Sequence, residues 1–251
     1  MIGIFDSGSG GLSVMRAIRE RFPSSDIVYF GDIKNAPYGS KSHDELFAHT
    51  IDAIKFLKER GATRIVSACN SVSASLAISL FDALSIAPID LIEMVGPTVS
   101  SFKDSDARVM LCATPATVRS KVYRHGFSMI GKNIHQVAIR DLAGAIERGA
   151  PDEEIERIVT EAFAETAHED FDALILACTH YPLVADAFRR VLGNIEIIDP
   201  ADAVAARVES RWWPQEIGEG KAQFFITQDS EPFRMRVGVM FPACVECVEV
   251  V

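Results

Sequence analysis

The chain has 251 residues, of which 48% are hydrophobic and 24% charged, a composition typical of a globular protein and not of a disordered one. Its formal net charge is -10 and its pI is about 5.1. Nucleic-acid affinity depends on clustered Lys and Arg, so this balance argues against nucleic acid as a partner. The length allows one large domain or two modest ones, and we expect two.

Three further features exclude a secreted or membrane protein. The first residues, MIGIFDSGSGG, lack a basic segment and meet Asp6 early, which is typical of a first strand and not of a secretory signal. The most apolar long region, residues 76–99, is interrupted by Pro, Asp and Glu, so no membrane span is predicted. The 5 cysteines, an odd number, favour reduced thiols in the cytoplasm over a disulfide framework.

Short apolar runs alternate with amphipathic stretches along the chain. The runs predict strands, in chain order, at residues 2–5, 27–30, 64–68, 91–95, 109–113, 135–139, 173–177, 195–198 and 221–227. The amphipathic stretches predict helices at residues 12–22, 42–60, 151–168 and 201–212. Alternation of strand and helix is typical of mainly parallel sheets covered by helices, so the predicted fold class is α/β.

Two segments share one pattern and predict two similar halves. RIVSACNSVS at residues 64–73 and ALILACTHYP at residues 173–182 are both apolar runs that end in Ala-Cys and a small polar pair. We expect a seam near residues 96–105, where Gly, Pro, Ser and Asp cluster. The predicted domains are 1–97 plus 207–251 and 98–206; the strand at 221–227 returns to the first domain, and the tail after Gly238 is assigned no element.

Cys69 and Cys178 are the main candidates for chemistry. In a parallel sheet, ligand-binding residues gather beyond the carboxyl ends of the strands, where a following helix presents free N–H groups. That position favours the thiolate, the form that acts as a base or nucleophile. A single free cysteine is more often a small buried hydrophobe, but two in matching contexts favour a functional pair. The polar neighbours that we expect to bind a carboxylate are Asn70, Ser71, Thr179 and His180.

Other motifs are weaker by themselves. The turn DSGSGG at residues 6–11 either brings N–H groups to an anion or is a tight turn capped by Asp6. The turn NAPYGS at residues 35–40 either presents Tyr38 to the same site or is an ordinary Pro-Tyr loop. His180 either shuttles a proton or caps a helix.

The other three cysteines predict no metal site. Cys112 has no polar successor and is expected in the core. Cys244 and Cys247 form a lone CxxC, with no second pair to complete a four-ligand zinc site.

Taken together, IGIFDSGSGGLSV, YFGDIKNAPYGSKS, ACNSVSAS and ACTHYPLV resemble the motif series of bacterial glutamate racemases, in the aspartate/glutamate racemase superfamily. The resemblance runs from residue 1 to residue 233, with secondary matches at ATPAT (113–117) and IDP (198–200). It implies two similar three-layer α/β domains related by a pseudo-twofold axis, with the active site between them. It also implies an isomerase that needs no cofactor and takes a small amino acid as substrate. The possible protein partner is a second copy of the chain, in a homodimer.

The resemblance further implies the roles of the site residues. Inversion of a stereocentre needs a base on one face of the α-carbon and an acid on the other. Cys69 would deprotonate the D-enantiomer and Cys178 the L-enantiomer, with Asp6 and His180 assisting the thiols. The implied substrate-binding residues are Asp6, Ser7, Tyr38, Gly39, Asn70, Ser71, Thr114, Thr117, Thr179 and His180.

One segment departs from the family pattern. In AIRDLAGAIE at residues 138–147, Glu147 aligns with an auxiliary residue, whereas Arg140 and Asp141 bring charge to a usually apolar place. Milder changes are Ser71 for a common threonine and Ala177 for a common glycine.

We expect conversion of L-glutamate to D-glutamate, which would supply peptidoglycan synthesis. The alternatives are a racemase of another acidic amino acid such as aspartate, a racemase of a hydantoin, and a non-catalytic amino-acid-binding or regulatory protein.

Overall fold

The fold is built from two parallel sheets. A computed structural model describes residues 1–73, 86–166, 170–214 and 218–251. Its strands are β1 (Ile2–Asp6), β2 (Ile27–Gly31), β3 (Arg64–Ser67), β4 (Leu91–Ile92), β5 (Val109–Ala113), β6 (His135–Ala138), β7 (Ala173–Ala177), β8 (Glu196–Ile198), β9 (Ala222–Ile226) and β10 (Val248–Val250). Its helices are α1 (Leu12–Arg21), α2 (His43–Glu59), α3 (Asn70–Ser73), α4 (Val95–Ser101), α5 (Pro115–Ser120), α6 (Val122–Met129), α7 (Leu142–Glu147), α8 (Asp152–Phe163), α9 (Ala185–Leu192), α10 (Pro200–Trp212) and α11 (Glu231–Met240).

The two sheets repeat one strand order. The first sheet runs β10-β9-β2-β1-β3-β4 and the second runs β6-β5-β7-β8, and neighbouring strands are parallel in both. The order β2-β1-β3-β4 therefore recurs as β6-β5-β7-β8, which confirms the predicted α/β class and its two similar halves. In such an order successive strands are added first on one side of the first strand and then on the other, and ligands bind beyond the carboxyl ends where the strand order reverses, between the first and third strands. Those strands are β1 and β3 in one sheet and β5 and β7 in the other.

Each sheet is covered by helices on both faces, so each half has three layers. Along β1, Ile2 and Ile4 pack in one core cluster with residues of α1 and α10, whereas Phe5 packs in another with residues of α2. In β5, Met110 and Leu111 likewise fall in different clusters on opposite faces. Strands buried on both faces explain the nearly continuous apolar runs of the sequence.

One predicted strand was too long, and one strand was not predicted. The strand expected at residues 91–95 ends at Ile92, and α4 begins at Val95. The cause is Glu93, whose carboxylate accepts the N–H groups of Val95 and Gly96 at 2.6 Å each and so starts a helix there. The tail, to which no element was assigned, adds β10 beside β9; its three residues are too few to show a strand pattern.

The bounds of the other predicted elements agree with the structure to within a few residues or fall on residues that the structure does not describe. The helix expected at 151–168 ends at Phe163, and residues 167–169 are outside the described residues, as is the part of the 76–99 region up to residue 85. The proposed domain boundaries stay a prediction: α4 runs through the expected seam, and α10 buries Ala201 and Val204 in the core of the first sheet. Among the described residues, no helix combines the length and apolar character needed to cross a membrane.

The turn after β1 packs directly against the turn after β7. A Cβ added to Gly10 would lie 2.6 Å from Thr179 Oγ1 and 2.7 Å from the backbone N of His180. A Cβ added to Gly8 would lie 2.6 Å from Glu147 Oε2. Glycine at these positions therefore allows the carboxyl ends of the two sheets to approach each other closely.

We expect Gly10→Ala to lower the free energy of unfolding by about 1–3 kcal/mol, because backbone of the second half must move to accept the methyl group. Gly144→Ala is the control, since its added Cβ meets the far end of the flexible Arg148 side chain at 3.2 Å and Pro37 Cγ at 3.6 Å, an ordinary contact distance. Chemical denaturation of both variants provides the test. Equal stability of Gly10→Ala and the wild type would mean that the turns are not in this close contact.

Candidate active site

The carboxyl ends of the central strands of both sheets meet in one buried polar region. Side chains from the two halves hydrogen-bond to each other there, and all of them are less than 10% exposed. The bonds between the halves include Thr179 Oγ1 to Asp6 Oδ1 (3.1 Å), Ser71 Oγ with Thr114 Oγ1 (2.9 Å), and Tyr123 Oη to Asn70 Oδ1 (2.5 Å). The structure thus brings together residues that are far apart in the sequence.

The two candidate thiols occupy equivalent places. Cys69 follows β3 and Cys178 follows β7, and their exposed fractions are 5% and 6%. Burial raises the pKa of Cys69, the charges of Asp6 and Cys178 raise it further, and N–H groups of α3 lower it by less. Cys69 is therefore a protonated thiol at neutral pH. Since the charge of Cys178 contributes, the two side chains are within electrostatic range of each other.

His180 and Glu147 form a buried pair beside Cys178. His180 Nε2 lies 2.5 Å from Glu147 Oε2, and Nδ1 on the other side of the ring lies 4.0 Å from Cys178 Sγ. Burial by itself would raise the pKa of Glu147, but the hydrogen bond and charge of His180, with donors from Ser9, lower it to about 2. Burial would lower the pKa of His180, but its bonds to Cys178 and Glu147 raise it well above its usual range. The pair is therefore an imidazolium and a carboxylate.

The sequence analysis missed two residues near the His180–Glu147 pair, Ser9 and Arg236. Ser9 donates to Glu147 Oε2 from its backbone N (3.0 Å) and from Oγ (2.8 Å). Arg236 Nη1 donates to Ser9 Oγ at 2.7 Å. Ser9 lies within the quoted DSGSGG turn and could have been found from it. Arg236 is 227 positions away from Ser9, and no local pattern points to it.

Asp6 is fully hydrogen-bonded within the protein. Its Oδ2 accepts the N–H groups of Gly8 and Gly11 at 3.1 Å each, and its Oδ1 accepts the Thr179 hydroxyl. Burial raises the pKa of Asp6, while the charge of His180 and the two N–H groups lower it by less. Asp6 therefore caps the glycine turn, as one of the two interpretations predicted, and also holds Thr179 of the other half.

The other predicted residues line the same region in different ways. Tyr38 Oη donates to Asp32 Oδ2 at 2.6 Å, so its proton is already used, and burial raises its pKa. A Cβ on Gly39 would lie 2.6 Å from Thr114 Cβ, so this turn packs against the second sheet. Thr117 Oγ1 lies 3.2 Å from Thr114 Oγ1. Ser7 is buried within the glycine turn.

Two buried polar atoms of the site find no hydrogen-bond partner among the described residues: Asn70 Nδ2 and Glu147 Oε1. Buried polar groups are nearly always paired in folded proteins, so each such atom calls for an explanation. The Asn70 amide is a donor beside Cys69, and a ligand carboxylate in this region would satisfy it.

A cavity of about 150 Å³ adjoins the site where the turn at residues 36–40 faces the 138–144 segment. Gly39 and Thr114 line it, and so do the exposed side chains of Arg140 and Asp141. The charges that depart from the family pattern thus lie at this opening and not among the buried polar groups.

The remaining cysteines lie elsewhere. Cys112 is fully buried in the core of the second sheet, as expected. Cys244 is half-buried and Cys247 exposed in the short turn before β10. In the described parts of the chain, no group of three or more His, Cys, Asp or Glu side chains could hold a metal ion.

Comparison with known proteins identifies the family. The sequence model of the Asp/Glu/Hydantoin racemase family matches residues 2–208. The chain belongs to this family. The glutamate racemase of Aquifex pyrophilus is 34% identical over 226 residues, covering 90% of this chain and 88% of that protein. The glutamate racemase of Desulforudis audaxviator is 37% identical over 214 residues, covering 83% and 78%.

Solved structures of racemases have the same two-sheet fold. Glutamate racemase from Bacillus anthracis superposes with a TM-score of 0.88 at 27% identity, covering 100% of this chain and 97% of that one. The enzyme from Francisella tularensis, solved in complex with D-glutamate, superposes with a TM-score of 0.87 at 26% identity, covering 100% and 96%. The expected resemblance and the prediction of an enzyme of the racemase class are therefore confirmed.

In this racemase the His180–Glu147 pair should make stability depend on pH in both directions. The folded pKa of Glu147, about 2, lies below its usual 4.5, so its contribution is complete above pH 4.5 and is lost as pH falls towards 2. The folded pKa of His180 lies above its usual 6.5, so its contribution is complete below pH 6.5 and is lost as pH rises through the folded value.

We therefore expect Glu147→Gln to destabilise most between about pH 4.5 and 6.5, by about 3 kcal/mol, with a smaller difference on either side. Urea denaturation of Glu147→Gln and the wild type at a series of pH values measures the difference in free energy of unfolding. Asp6 titrates in both proteins, so its contribution to that difference largely cancels. The control is Glu93→Gln, which removes a buried carboxylate bound to backbone N–H groups and not to a histidine. A Glu147→Gln difference that does not change with pH would show that the pair is not ionic.

Proposed function

We propose that this racemase interconverts L- and D-glutamate, with Cys69 and Cys178 as the two bases. The observation that carries the proposal is the placement of two buried thiols after equivalent strands of two facing sheets, within electrostatic range of each other. Inversion at a carbon needs a proton acceptor on one face and a proton donor on the other. The relatives named glutamate racemase, and the D-glutamate bound in one of them, support the choice of substrate.

For the L-enantiomer, the Cys178 thiolate takes the α-proton and the Cys69 thiol delivers its proton to the opposite face. The product is D-glutamate, and Cys69 is left as the thiolate. For the D-enantiomer the same steps run in reverse. Burial keeps Cys69 protonated in the free enzyme, which suits the donor role with L-glutamate. His180 Nδ1 lies 4.0 Å from Cys178 Sγ, within hydrogen-bond reach of the proposed base.

Removal of the α-proton leaves negative charge that extends onto the substrate carboxylate. Pre-oriented donors that face developing charge in a site closed to water usually make the largest contribution to catalysis. The Asn70 amide is such a donor, because Tyr123 fixes its oxygen and leaves its N–H unpaired among the described residues. Ser71 and Thr179 add hydroxyls whose positions are fixed by Thr114 and Asp6.

The protein residues supply both bases and the donors, so we propose that the reaction needs no cofactor. The D-glutamate would serve peptidoglycan synthesis in the cytoplasm, and so cell-wall biogenesis and cell shape. We also propose that the protein forms a homodimer.

The first test is proton exchange in D₂O. We expect L-glutamate to gain deuterium at the α-carbon and to yield D-glutamate, as followed by NMR and chiral chromatography. Aspartate and a hydantoin, tested in parallel, should exchange much more slowly. Faster exchange of either would reassign the substrate, whereas binding of glutamate with no exchange would leave a non-catalytic binding protein.

The second test assigns the bases. Serine is a far weaker base than a thiolate, so we expect Cys69→Ser and Cys178→Ser each to lower racemisation by at least about 10²-fold. The two enantiomers have equal free energies in water, so kcat/KM must fall equally in both directions. Exchange of the α-proton for solvent deuterium, without inversion, shows which cysteine acts on which enantiomer. Cys178→Ser should still exchange the α-proton of D-glutamate, and Cys69→Ser should still exchange that of L-glutamate.

Cys244→Ser, in the half-buried turn before β10, is the matched control and should keep full activity. If either active-site variant racemises at the wild-type rate, the two-thiol mechanism is wrong.

A further inference from the structure

Helix α11 reaches the site through one side chain. The helix packs on the first sheet through Phe233 and Val237. Between them, half-buried Arg236 donates through Nη1 to Ser9 Oγ at 2.7 Å and through Nη2 to the carbonyl of Ile146. The arginine therefore contacts the glycine turn of the first half and the last turn of α7 in the second half.

The first of these bonds decides where the Ser9 proton points. A serine hydroxyl has one proton to donate, and a guanidinium can only donate. Since Arg236 donates to Ser9 Oγ, the hydroxyl proton is free to point at Glu147 Oε2, which lies 2.8 Å away. With Arg236 in place, Glu147 Oε2 receives two donors from Ser9 in addition to His180.

The second bond holds the end of the helix that carries Glu147. Ile146 is the residue before Glu147, in the last turn of α7, where the backbone carbonyls carry the partial negative charge of the helix end; its carbonyl also accepts the N–H of Gly149 at 3.0 Å. A positively charged side chain at a helix C-terminus is favourable for the same reason. Arg236 thus contacts both the helix that carries Glu147 and the serine that donates to it.

Charge acts in the same direction. The titratable and charged groups that face the Glu147–His180 pair are Asp6 from β1, Tyr29 from β2, Cys178 after β7 and Arg236 from α11. Burial lowers the pKa of Arg236 and the charge of Glu147 raises it, which shows that the two side chains interact. Of these four groups, Arg236 is the cation, so it favours the Glu147 carboxylate that His180 needs as its partner.

We propose that Arg236 is a positioning residue of this site: it directs Ser9 at Glu147 and so holds His180 beside Cys178. This inference rests on the proposed function for its effect on catalysis, but not for its effect on Glu147 itself. Since His180 adjoins Cys178, the steps at Cys178 should be affected more than those at Cys69.

The test compares Arg236→Met and Arg236→Lys with the wild type. Loss of charge-assisted bonds should lower kcat of Arg236→Met about tenfold, with KM changed by less than about twofold. The acid limb of its kcat profile should move to higher pH by about one pH unit, since Glu147 loses a neighbouring cation. Arg236→Lys keeps the charge and should recover part of both effects. With α-deuterated substrates, the isotope effect should rise more for L- than for D-glutamate.

Two further variants separate positioning from folding. Arg234→Met, on the same helix, removes bonds that, among the described residues, go to Asp229 and the Val248 carbonyl, and should change neither kcat nor the pH profile. The double variant Ser9→Ala with Arg236→Met should be no worse than the more impaired single variant, because both act through Glu147. Additive losses, or the same pH shift in Arg234→Met, would overturn the proposal.

A measurement without turnover keeps the two proposals distinct. Carboxyl ¹³C NMR, with Glu147 assigned by comparison with Glu147→Gln, should show Glu147 protonating at higher pH in Arg236→Met than in the wild type. An unchanged Glu147 titration overturns the positioning role even if the wild type is an active racemase. A shifted titration in a protein that racemises nothing would support the positioning role and overturn the proposed function.

Discussion

The buried hydrogen bond between His180 and Glu147 is the interaction on which the site depends. Both side chains are almost fully removed from water, and charges in that position are stable only when each has a partner with good geometry. The partners come from three elements: the turn after β7, the end of α7 and the glycine turn after β1. His180 and Glu147 both belong to the second half, and the glycine turn of the first half adds the two Ser9 donors to Glu147, so the docking of the halves completes the hydrogen bonding of the pair.

The repeated strand order explains why two thiols lie at equivalent places in the two halves. Cys69 and Cys178 follow equivalent strands, so the same local geometry delivers each sulfur to the carboxyl end of its own sheet. Their surroundings are not equivalent. Cys69 is buried near Asp6, which keeps it protonated, whereas Cys178 lies beside an imidazolium. A symmetric scaffold thus places its two thiols among unlike neighbours.

The site has a closely packed interior and an opening that carries the charges of Arg140 and Asp141. Glycines bring the turns so near to each other that an added methyl group would overlap the opposite half. Several interior polar groups hydrogen-bond across the halves, among them Asp6 with Thr179 and Ser71 with Thr114. Arg140 and Asp141 lie outside, at the cavity that adjoins the site. The departure of the 138–147 segment from the family pattern therefore bears on the opening, while Glu147 at its end keeps a place in the interior.

The sequence by itself determined the α/β class, the equivalence of the Cys69 and Cys178 segments and most strands, because alternation of apolar runs and helical patterns is local and each run spans only a few residues. The family motifs, also local, pointed to nearly all of the residues that meet at the site. Only the tertiary structure decided that the Tyr38 hydroxyl is used by Asp32, that Glu147 pairs with His180, and that Arg236 joins them through Ser9. These side-chain hydrogen bonds join residues 6, 33 and 227 positions apart and leave no periodicity in the chain, since they depend on how turns and helix ends pack in three dimensions.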